Sequence, residues 1–243
     1  MTSRTLNAQT WSGEVRTTVE ASVATVVIDN GPQNLLNPGV MASLEAMLKQ
    51  ADADPEVTGI LLTGDGATFC GGLDIPAIQA GADPTEFARA LVAVLRAMPG
   101  LATPVAALVN GDALASGASL VAACDYAVVV PEARVGSYEV SVAVWPMIAQ
   151  VPLIQRIGPR AAMENIGAGE PFTAERAFEV GLVQGVATLA DASVAVRRWL
   201  ANAARAGDAA PGRRSLYELA ELSYGDALDA SLSRFVAQFE GEA

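Results

Sequence analysis

The sequence predicts an α/β core followed by a purely helical C-terminal region. Short β-branched runs recur along the first part of the chain, segments of helical periodicity separate them, and the final part carries only helical patterns. Apolar residues make up 51% of the 243 residues, which is ample for a buried core. We therefore expect an α/β core at residues 1–190 and a helical region at residues 191–243.

The first half of the chain alternates strand patterns with helix patterns. Asn37 and Pro38 suit the start of the first helix, because Asn caps helix N-termini and Pro is tolerated at the first helical position. β-Branched runs bounded by polar or glycine residues favour strands. In order, we expect strands at 15–19 and 23–28 forming a hairpin, a helix from 38 to 53, a strand at 57–62, a helix at 84–98, a strand at 105–109, a helix at 114–123 and a strand at 126–130.

Beyond Gly136 the pattern becomes mostly helical. One short strand interrupts the predicted helices. We expect helices at 146–157, 160–167, 173–181, 191–206 and 215–239, and a strand at 183–187.

The charge and residue usage exclude several classes of function. With 15 Lys and Arg against 27 Asp and Glu, the net charge is −12, so nucleic acid and anionic membrane surfaces are not expected partners. The chain has no histidine, which excludes Ser-His-Asp catalysis and His-ligated metal sites. Two cysteines, Cys70 and Cys124, are too few for a four-thiolate zinc site or a disulfide framework. We expect no metal site and a reducing, cytoplasmic location.

No segment of the sequence predicts a membrane anchor or a secretory signal. The longest apolar stretch, 113–124, is shorter than the roughly 18 to 20 residues that a membrane span needs. The polar N-terminal residues 1–10 lack the apolar region of a signal peptide. Both observations favour a cytoplasmic protein without membrane partners.

Two loops that follow predicted strands are candidate binding sites. Loop 64–72 is rich in glycine, but it lacks the third glycine of a dinucleotide-binding loop, so a tight turn exposing a backbone N–H fits better. Loop 110–120 opens a helix whose free N–H groups face outward. The small residues of either loop are also compatible with a purely structural role. Together the loops can bring two N–H groups to one carbonyl oxygen, as an oxyanion hole requires.

Six segments then occur in a recognisable order. They are Phe69-Cys-Gly-Gly-Leu-Asp-Ile75, the segment 109–120, Ala123-Cys-Asp-Tyr126, Gly136-Ser-Tyr-Glu139, the segment 157–162 and the segment 172–183. In this order and spacing they closely resemble the enoyl-CoA hydratase/isomerase (crotonase) superfamily, over about residues 15 to 190. The resemblance implies a spiral of ββα units and a helical C-terminal region that builds trimers, often paired into hexamers. It also implies an acyl-CoA thioester substrate, with coenzyme A as part of the substrate and no tightly bound cofactor.

The resemblance also assigns site residues. By motif position, the backbone N–H groups of Leu73 and Ser116 would form the oxyanion hole, and Glu139 would be the catalytic acid/base. Hydratases of the family use a second glutamate, and that position is Ser119 here. Asp74, next to Leu73, is expected to have mainly a structural role. The candidate substrate-binding residues are Gly72, Asp74, Ile75, Ala115, Ser119, Tyr138 and Trp145.

Two further departures from the family concern the acyl pocket and the C-terminus. Many members read Pro-Gly-x-Gly-Gly where this chain reads Trp145-Pro-Met-Ile-Ala149, so Trp145 and Met147 either narrow the acyl pocket or are ordinary core residues. The basic terminal helix that contacts the coenzyme A phosphates in many members is not matched. Because Lys49 is the only lysine, arginines would have to hold those phosphates.

These departures leave three hypotheses for function. A single glutamate suffices to move a double bond between the β,γ and α,β positions, so an isomerase-like proton transfer is the leading hypothesis. A hydratase that combines Glu139 with another polar group, such as Asp112, is the nearest alternative. The third is a catalytically weak acyl-CoA-binding or scaffold protein. A serine protease on the related spiral fold is excluded by the lack of histidine.

Overall fold

The structure is a computed structural model that describes residues 4–5, 15–205 and 212–240, with side chains at 15–205 and 212–237. Apart from residues 4 and 5, the N-terminal segment 1–10 lies outside the described residues. The strands are β1 (Arg4–Thr5), β2 (Val15–Glu20), β3 (Val23–Ile28), β4 (Gly59–Gly64), β5 (Thr68–Cys70), β6 (Val105–Val109), β7 (Asp112–Leu114), β8 (Tyr126–Val129), β9 (Arg134–Gly136), β10 (Phe172–Thr173) and β11 (Gly185–Val186).

The α-helices lie between and after these strands. They are α1 (Pro38–Ala53), α2 (Ile75–Gln79), α3 (Pro84–Gly100), α4 (Ser116–Ala123), α5 (Gln150–Ala168), α6 (Ala174–Glu179), α7 (Leu189–Ala203), α8 (Gly212–Ala220) and α9 (Tyr224–Glu240). A 3-10 turn spans Glu139–Val142.

A seven-stranded sheet forms the main layer, in the order β1-β2-β3-β4-β6-β8-β11. The first three strands are antiparallel, and the others run parallel from β3 onward. The predicted hairpin of β2 and β3 is confirmed, with Val15 opposite Ile28 and Glu20 opposite Val23. Ala21 and Ser22 both have positive φ angles, which suits a two-residue hairpin turn.

A second, four-stranded sheet has the order β10-β9-β7-β5. Strands β5, β7 and β9 are parallel neighbours, and β10 is antiparallel to β9. The sequence predicts loop or helix at the positions of β5 and β7, and that prediction is wrong. Each strand has only three residues beside glycines, so neither carries the alternating pattern of a longer strand.

Helices cover both faces of the main sheet. Helix α1 buries Val40, Leu44 and Leu48 in the larger apolar core, and the Asn37 side chain caps it by accepting from the Val40 N–H at 2.9 Å. Helix α7 packs Val196 and Leu200 against the opposite face, in a smaller core. The domain boundary at residue 190 stays a prediction. It falls within the first turn of α7, which packs on the sheet.

Two helix predictions need correction. The predicted helix 215–239 is two helices, α8 and α9, because the chain turns at 221–223 and the Ser223 hydroxyl caps α9 by accepting from the Asp226 N–H at 3.3 Å. The predicted break between helices 146–157 and 160–167 is confirmed within α5, because Gly158, with a φ of 75° and a ψ of 163°, is not helical and is followed by Pro159. The first of the two helices begins at Gln150 and not at residue 146.

Candidate active site

The ends of three short parallel strands meet at one edge of the second sheet. Leu73 follows the end of β5, Ser116 follows the end of β7 and Glu139 follows the end of β9, each within three residues. Because the carboxyl ends of parallel strands lie at the same edge, these three segments are neighbours. This edge therefore brings together the two expected backbone donors and the expected carboxylate.

Glycines hold the first two segments in direct contact. A Cβ atom on Gly117 would lie 2.2 Å from the Cys70 carbonyl oxygen, so any larger residue would push α4 away from β5. Gly72 has a φ of +100°, and a Cβ atom there would lie 3.0 Å from Ala115 Cβ and 3.6 Å from the Ser116 nitrogen. The glycines are thus required by close backbone approach.

The backbone N–H groups of Leu73 and Ser116 are available for a ligand. Leu36 donates to the Gly72 carbonyl at 2.8 Å and accepts from the Asp74 N–H at 3.0 Å, which leaves the intervening Leu73 N–H outside this bridge. Ser116 is the first residue of α4, where helix geometry supplies no acceptor for the N–H. Neither N–H has a hydrogen-bond partner within the described part of the chain.

Ala115 holds a strained backbone conformation at the start of α4. Its φ of 50° and ψ of −117° lie outside the regions that a residue with a Cβ prefers. Its N–H donates to the Gly136 carbonyl at 2.9 Å and so ties α4 to the end of β9. This strained turn sets the direction of the adjacent Ser116 N–H.

Glu139 begins the 3-10 turn after β9 and is partly buried. One carboxylate oxygen, Oε2, accepts from the Ser137 hydroxyl at 2.9 Å. Burial raises the pKa of Glu139 above its ordinary value, and the Ser137 hydrogen bond opposes part of that rise. A carboxylate in this environment is a stronger base than one in water.

Ser119 is fully buried. Its hydroxyl donates to the Ala149 carbonyl at 2.7 Å and lies 3.4 Å from the Ala115 carbonyl. The hydroxyl proton is therefore engaged inside the protein.

Three other candidate residues, Asp74, Ile75 and Tyr138, have different surroundings. Asp74 caps α2, since its Oδ1 accepts from the Ala77 N–H at 3.0 Å. This agrees with the structural role expected of it. Ile75 is exposed on the same short helix, and Tyr138 is partly buried just before Glu139.

Trp145 and Met147 are not core residues. Trp145 is 45% exposed and Met147 is 69% exposed, so the alternative that placed them in the core is wrong. The Trp145 indole donates to the Gln150 Oε1 at 3.0 Å, which fixes the ring against the start of α5. Together with Val142, Val144 and Val151 they form an apolar surface on the segment after Glu139.

Asn165 is a buried residue of this region that sequence reasoning missed. It lies on α5, and its side-chain amide bonds both backbone groups of Ser137. Only its low exposure reveals it, because a single Asn within a helix pattern carries no sequence signal.

The described residues form neither a metal-ligand cluster nor a membrane-spanning helix. Within residues 15–205 and 212–237, no group of three or more His, Cys, Asp or Glu side chains is arranged to hold a metal ion. Across the described helices, none combines the length and apolar character needed to span a bilayer.

Comparison with known proteins identifies the family. The enoyl-CoA hydratase/isomerase family profile matches residues 18–213. A Bacillus subtilis (strain 168) protein named probable enoyl-CoA hydratase is 28% identical over 235 residues, covering 92% of this chain and 90% of that protein. The peroxisomal bifunctional enzyme of Danio rerio is 33% identical over 169 residues, 69% of this chain but only 23% of that enzyme. The chain therefore belongs to the enoyl-CoA hydratase/isomerase family.

Solved structures agree on the fold. The structure of an enoyl-CoA hydratase/isomerase family protein from Silicibacter pomeroyi superimposes with a TM-score of 0.86 at 26% identity, covering 93% of this chain and 98% of that one. A Mycobacterium smegmatis enoyl-CoA hydratase structure also gives a TM-score of 0.86, at 24% identity over 93% of this chain and 91% of that one. The expected α/β, crotonase-like fold is thus confirmed.

Proposed function

We propose that this protein binds an acyl-CoA thioester and catalyses proton transfer through an enolate, with Glu139 as the only acid/base. The observation that carries the proposal is the meeting of three groups at one sheet edge: the unpaired N–H groups of Leu73 and Ser116 and the partly buried Glu139 carboxylate. Coenzyme A enters as part of the substrate, and no tightly bound cofactor is needed.

The two N–H groups would act on the thioester carbonyl oxygen. As the α-proton leaves, negative charge develops on that oxygen, and two fixed donors stabilise the charge without having to reorganise. Loss of one such donor typically costs about 10² to 10³ in rate. The strained turn at Ala115 keeps the Ser116 donor fixed before substrate arrives.

Glu139 would carry the proton between two carbons. In a 3-enoyl thioester, its carboxylate takes a proton from the α-carbon, the electron pair enters the thioester as an enolate, and the same proton returns to the γ-carbon. The product is the 2-enoyl thioester, and Glu139 is again ionised. Burial raises the pKa of Glu139, which brings its base strength closer to that required for this step.

The surroundings of the other polar groups favour isomerisation over hydration. The Ser119 hydroxyl is buried on the Ala149 carbonyl. Asp112 lies at the opposite end of β7 from Ser116, and its Oδ1 accepts from the Arg134 N–H at 2.7 Å. Neither group is disposed to activate water beside Glu139. Hydratase remains the second candidate because the Bacillus subtilis relative is named as one.

Steady-state assays with matched 2-enoyl-CoA and 3-enoyl-CoA substrates test this proposal. An isomerase converts the 3-enoyl substrate and adds no water to the 2-enoyl substrate, whereas a hydratase forms the 3-hydroxyacyl product. Binding of acyl-CoA without turnover of either substrate would instead support the scaffold hypothesis.

We also propose that the chain assembles into a trimer or a pair of trimers through its C-terminal helices. Large apolar side chains stand exposed on these helices and on the turn between them: Leu216, Leu222, Leu228, Leu232 and Phe235. Exposed apolar surface of this kind is typical of subunit interfaces. Sedimentation equilibrium at micromolar concentration tests this, and a single 25.0 kDa species would contradict it.

A cytoplasmic location is part of the proposal. Cys70 and Cys124 are both free and buried, which suits a reducing compartment. Burial raises the pKa of each thiol to about 12, so neither is a reactive thiolate at neutral pH. Cell fractionation followed by immunodetection tests the location.

A further inference from the structure

We propose that Ser137, held by Asn165, is a positioning residue that fixes the Glu139 carboxylate so that its Oε1 atom receives the substrate proton. This inference rests on the proposed function, since it assumes that Glu139 is the base. It adds a task for Ser137, which lies in a family motif without an assigned role, and for Asn165, which lies outside the motifs.

The direction of the Ser137 hydroxyl follows from its two contacts. The Glu139 N–H donates to the Ser137 Oγ at 3.3 Å, which occupies a lone pair of that oxygen. The single hydroxyl proton is then given to Glu139 Oε2 at 2.9 Å. Ser137 is fully buried, so water does not compete for the hydroxyl. Glu139 Oε1 has no hydrogen-bond partner among the described residues, and it is the oxygen left to take a proton.

Asn165 fixes the backbone from which this hydroxyl projects. Its Oδ1 accepts from the Ser137 N–H at 2.8 Å, and its Nδ2 donates to the Ser137 carbonyl at 2.8 Å and to the Glu170 carbonyl at 2.7 Å. Both polar groups of the Ser137 backbone are therefore held by one buried side chain. A Cβ on Gly136 would lie 2.7 Å from Asn165 Oδ1, so glycine is required for this approach.

No charge on the packed elements substitutes for the hydroxyl. Helix α4 carries no charged residue, Arg134 of β9 and Arg160 of α5 are exposed, Arg156 of α5 donates to backbone carbonyls, and Glu164 of α5 pairs with Arg176. Burial and the Ser137 hydroxyl are the two influences that shift the pKa of Glu139. Removing the hydroxyl leaves burial unopposed, and the pKa of Glu139 then rises further.

The pH dependence of α-proton exchange from butanoyl-CoA in D₂O, followed by NMR, tests the inference. Only ionised Glu139 removes a proton, so the rate falls as pH drops through its pKa. We expect Ser137→Ala to move this acidic limb upward by about one pH unit and to lower the plateau by no more than about tenfold.

Ser141→Ala is the matched control. Ser141 lies on the same turn as Glu139, and its hydroxyl proton is given to the Tyr138 carbonyl at 2.6 Å and not to the carboxylate. Its profile should overlay that of the parent. Asn165→Ala should lower the plateau with little change in butanoyl-CoA affinity, provided that circular dichroism shows it folded. If it does not fold, Ser137→Ala still decides.

Two results separate the possible failures. If the Ser137→Ala profile superimposes on that of the parent after scaling, Ser137 only packs the turn and the inference is wrong. If Glu139→Gln exchanges the α-proton as fast as the parent, the base itself is misassigned and the proposed function fails instead.

Discussion

Replacing Glu139 with Gln removes the proton-accepting carboxylate and keeps the size of the side chain. The Gln oxygen can still accept from the Ser137 hydroxyl, so the turn after β9 should keep its shape. The N–H groups of Leu73 and Ser116 belong to other segments and are untouched. We therefore expect acyl-CoA affinity to change only modestly while proton transfer is lost.

The size of the loss follows from the role of a positioned base. General-base catalysis contributes roughly 10² to 10⁴ in rate, so kcat should fall at least about 100-fold, which is about 2.7 kcal/mol of barrier. Exchange of the α-proton of butanoyl-CoA in D₂O reports this step without assuming the natural product. Isothermal titration with the same thioester measures binding separately.

Glu132→Gln is the control for this change. Glu132 is exposed on the turn before β9, seven positions before Glu139, so its neutralisation alters the net charge equally but removes no buried carboxylate. Its exchange rate should match that of the parent. Equal rates for the parent and Glu139→Gln would refute the assignment of the base, and a fall of similar size in both variants would point to an effect of net charge.

The difference in Tm between Glu139→Gln and the parent should depend on pH. Burial raises the pKa of folded Glu139 above its unfolded value, so the ionised form is held less favourably in the folded protein. The favourable contribution of protonated Glu139 to the free energy of unfolding is fully present below the unfolded pKa, and it is lost as pH rises through the folded pKa. Glu139→Gln should accordingly raise Tm relative to the parent near pH 8 and lose this advantage in mild acid. A Tm difference that is constant with pH would contradict the linkage.

Two further predictions concern buried polar contacts. Ser119→Ala should leave turnover within a few-fold of that of the parent. It should destabilise the protein by about 1 to 3 kcal/mol, because the Ala149 carbonyl loses its hydrogen-bond donor. A loss of about 10³ in kcat would instead show that Ser119 acts in catalysis. Arg213→Met should lower the free energy of unfolding in urea by about 3 kcal/mol, because the largely buried Asp125 loses its cation and keeps the neutral Val105 N–H and Tyr217 hydroxyl donors. A change below about 1 kcal/mol would mean that α8 is not anchored by this ion pair.

The elements that could be predicted from the sequence are those with local signals. The strand at 105–109 was predicted at its observed limits because five apolar residues lie between helix and loop signals. The first helix was predicted from Asn37 and Pro38, and the structure shows the Asn37 cap. The tail was harder, since its break at 221–223 depends on a serine cap within an unbroken helical pattern.

The second sheet could not be predicted from local patterns. Its strands β5 and β7 have three residues each, and their pairing depends on Gly117 approaching the Cys70 carbonyl. That approach joins positions 47 residues apart, whereas periodicity reports only neighbours along the chain. The family motifs include these segments. The roles expected of Leu73 and Ser116 could therefore be assigned from the sequence, although the strands that precede them could not be predicted.

The two residues that hold Glu139 also differ in how far they lie from it along the sequence. Ser137 lies two residues from Glu139, and its contact could have been suspected from spacing alone. Asn165 lies 28 residues from Ser137, within a helix whose buried face is otherwise apolar. A buried amide on such a face is costly unless its hydrogen bonds are satisfied, and three of them are. An apolar residue of similar size would fill the same space without that requirement. Asn165 differs from such a residue in one respect, which is that it holds the backbone that carries the carboxylate.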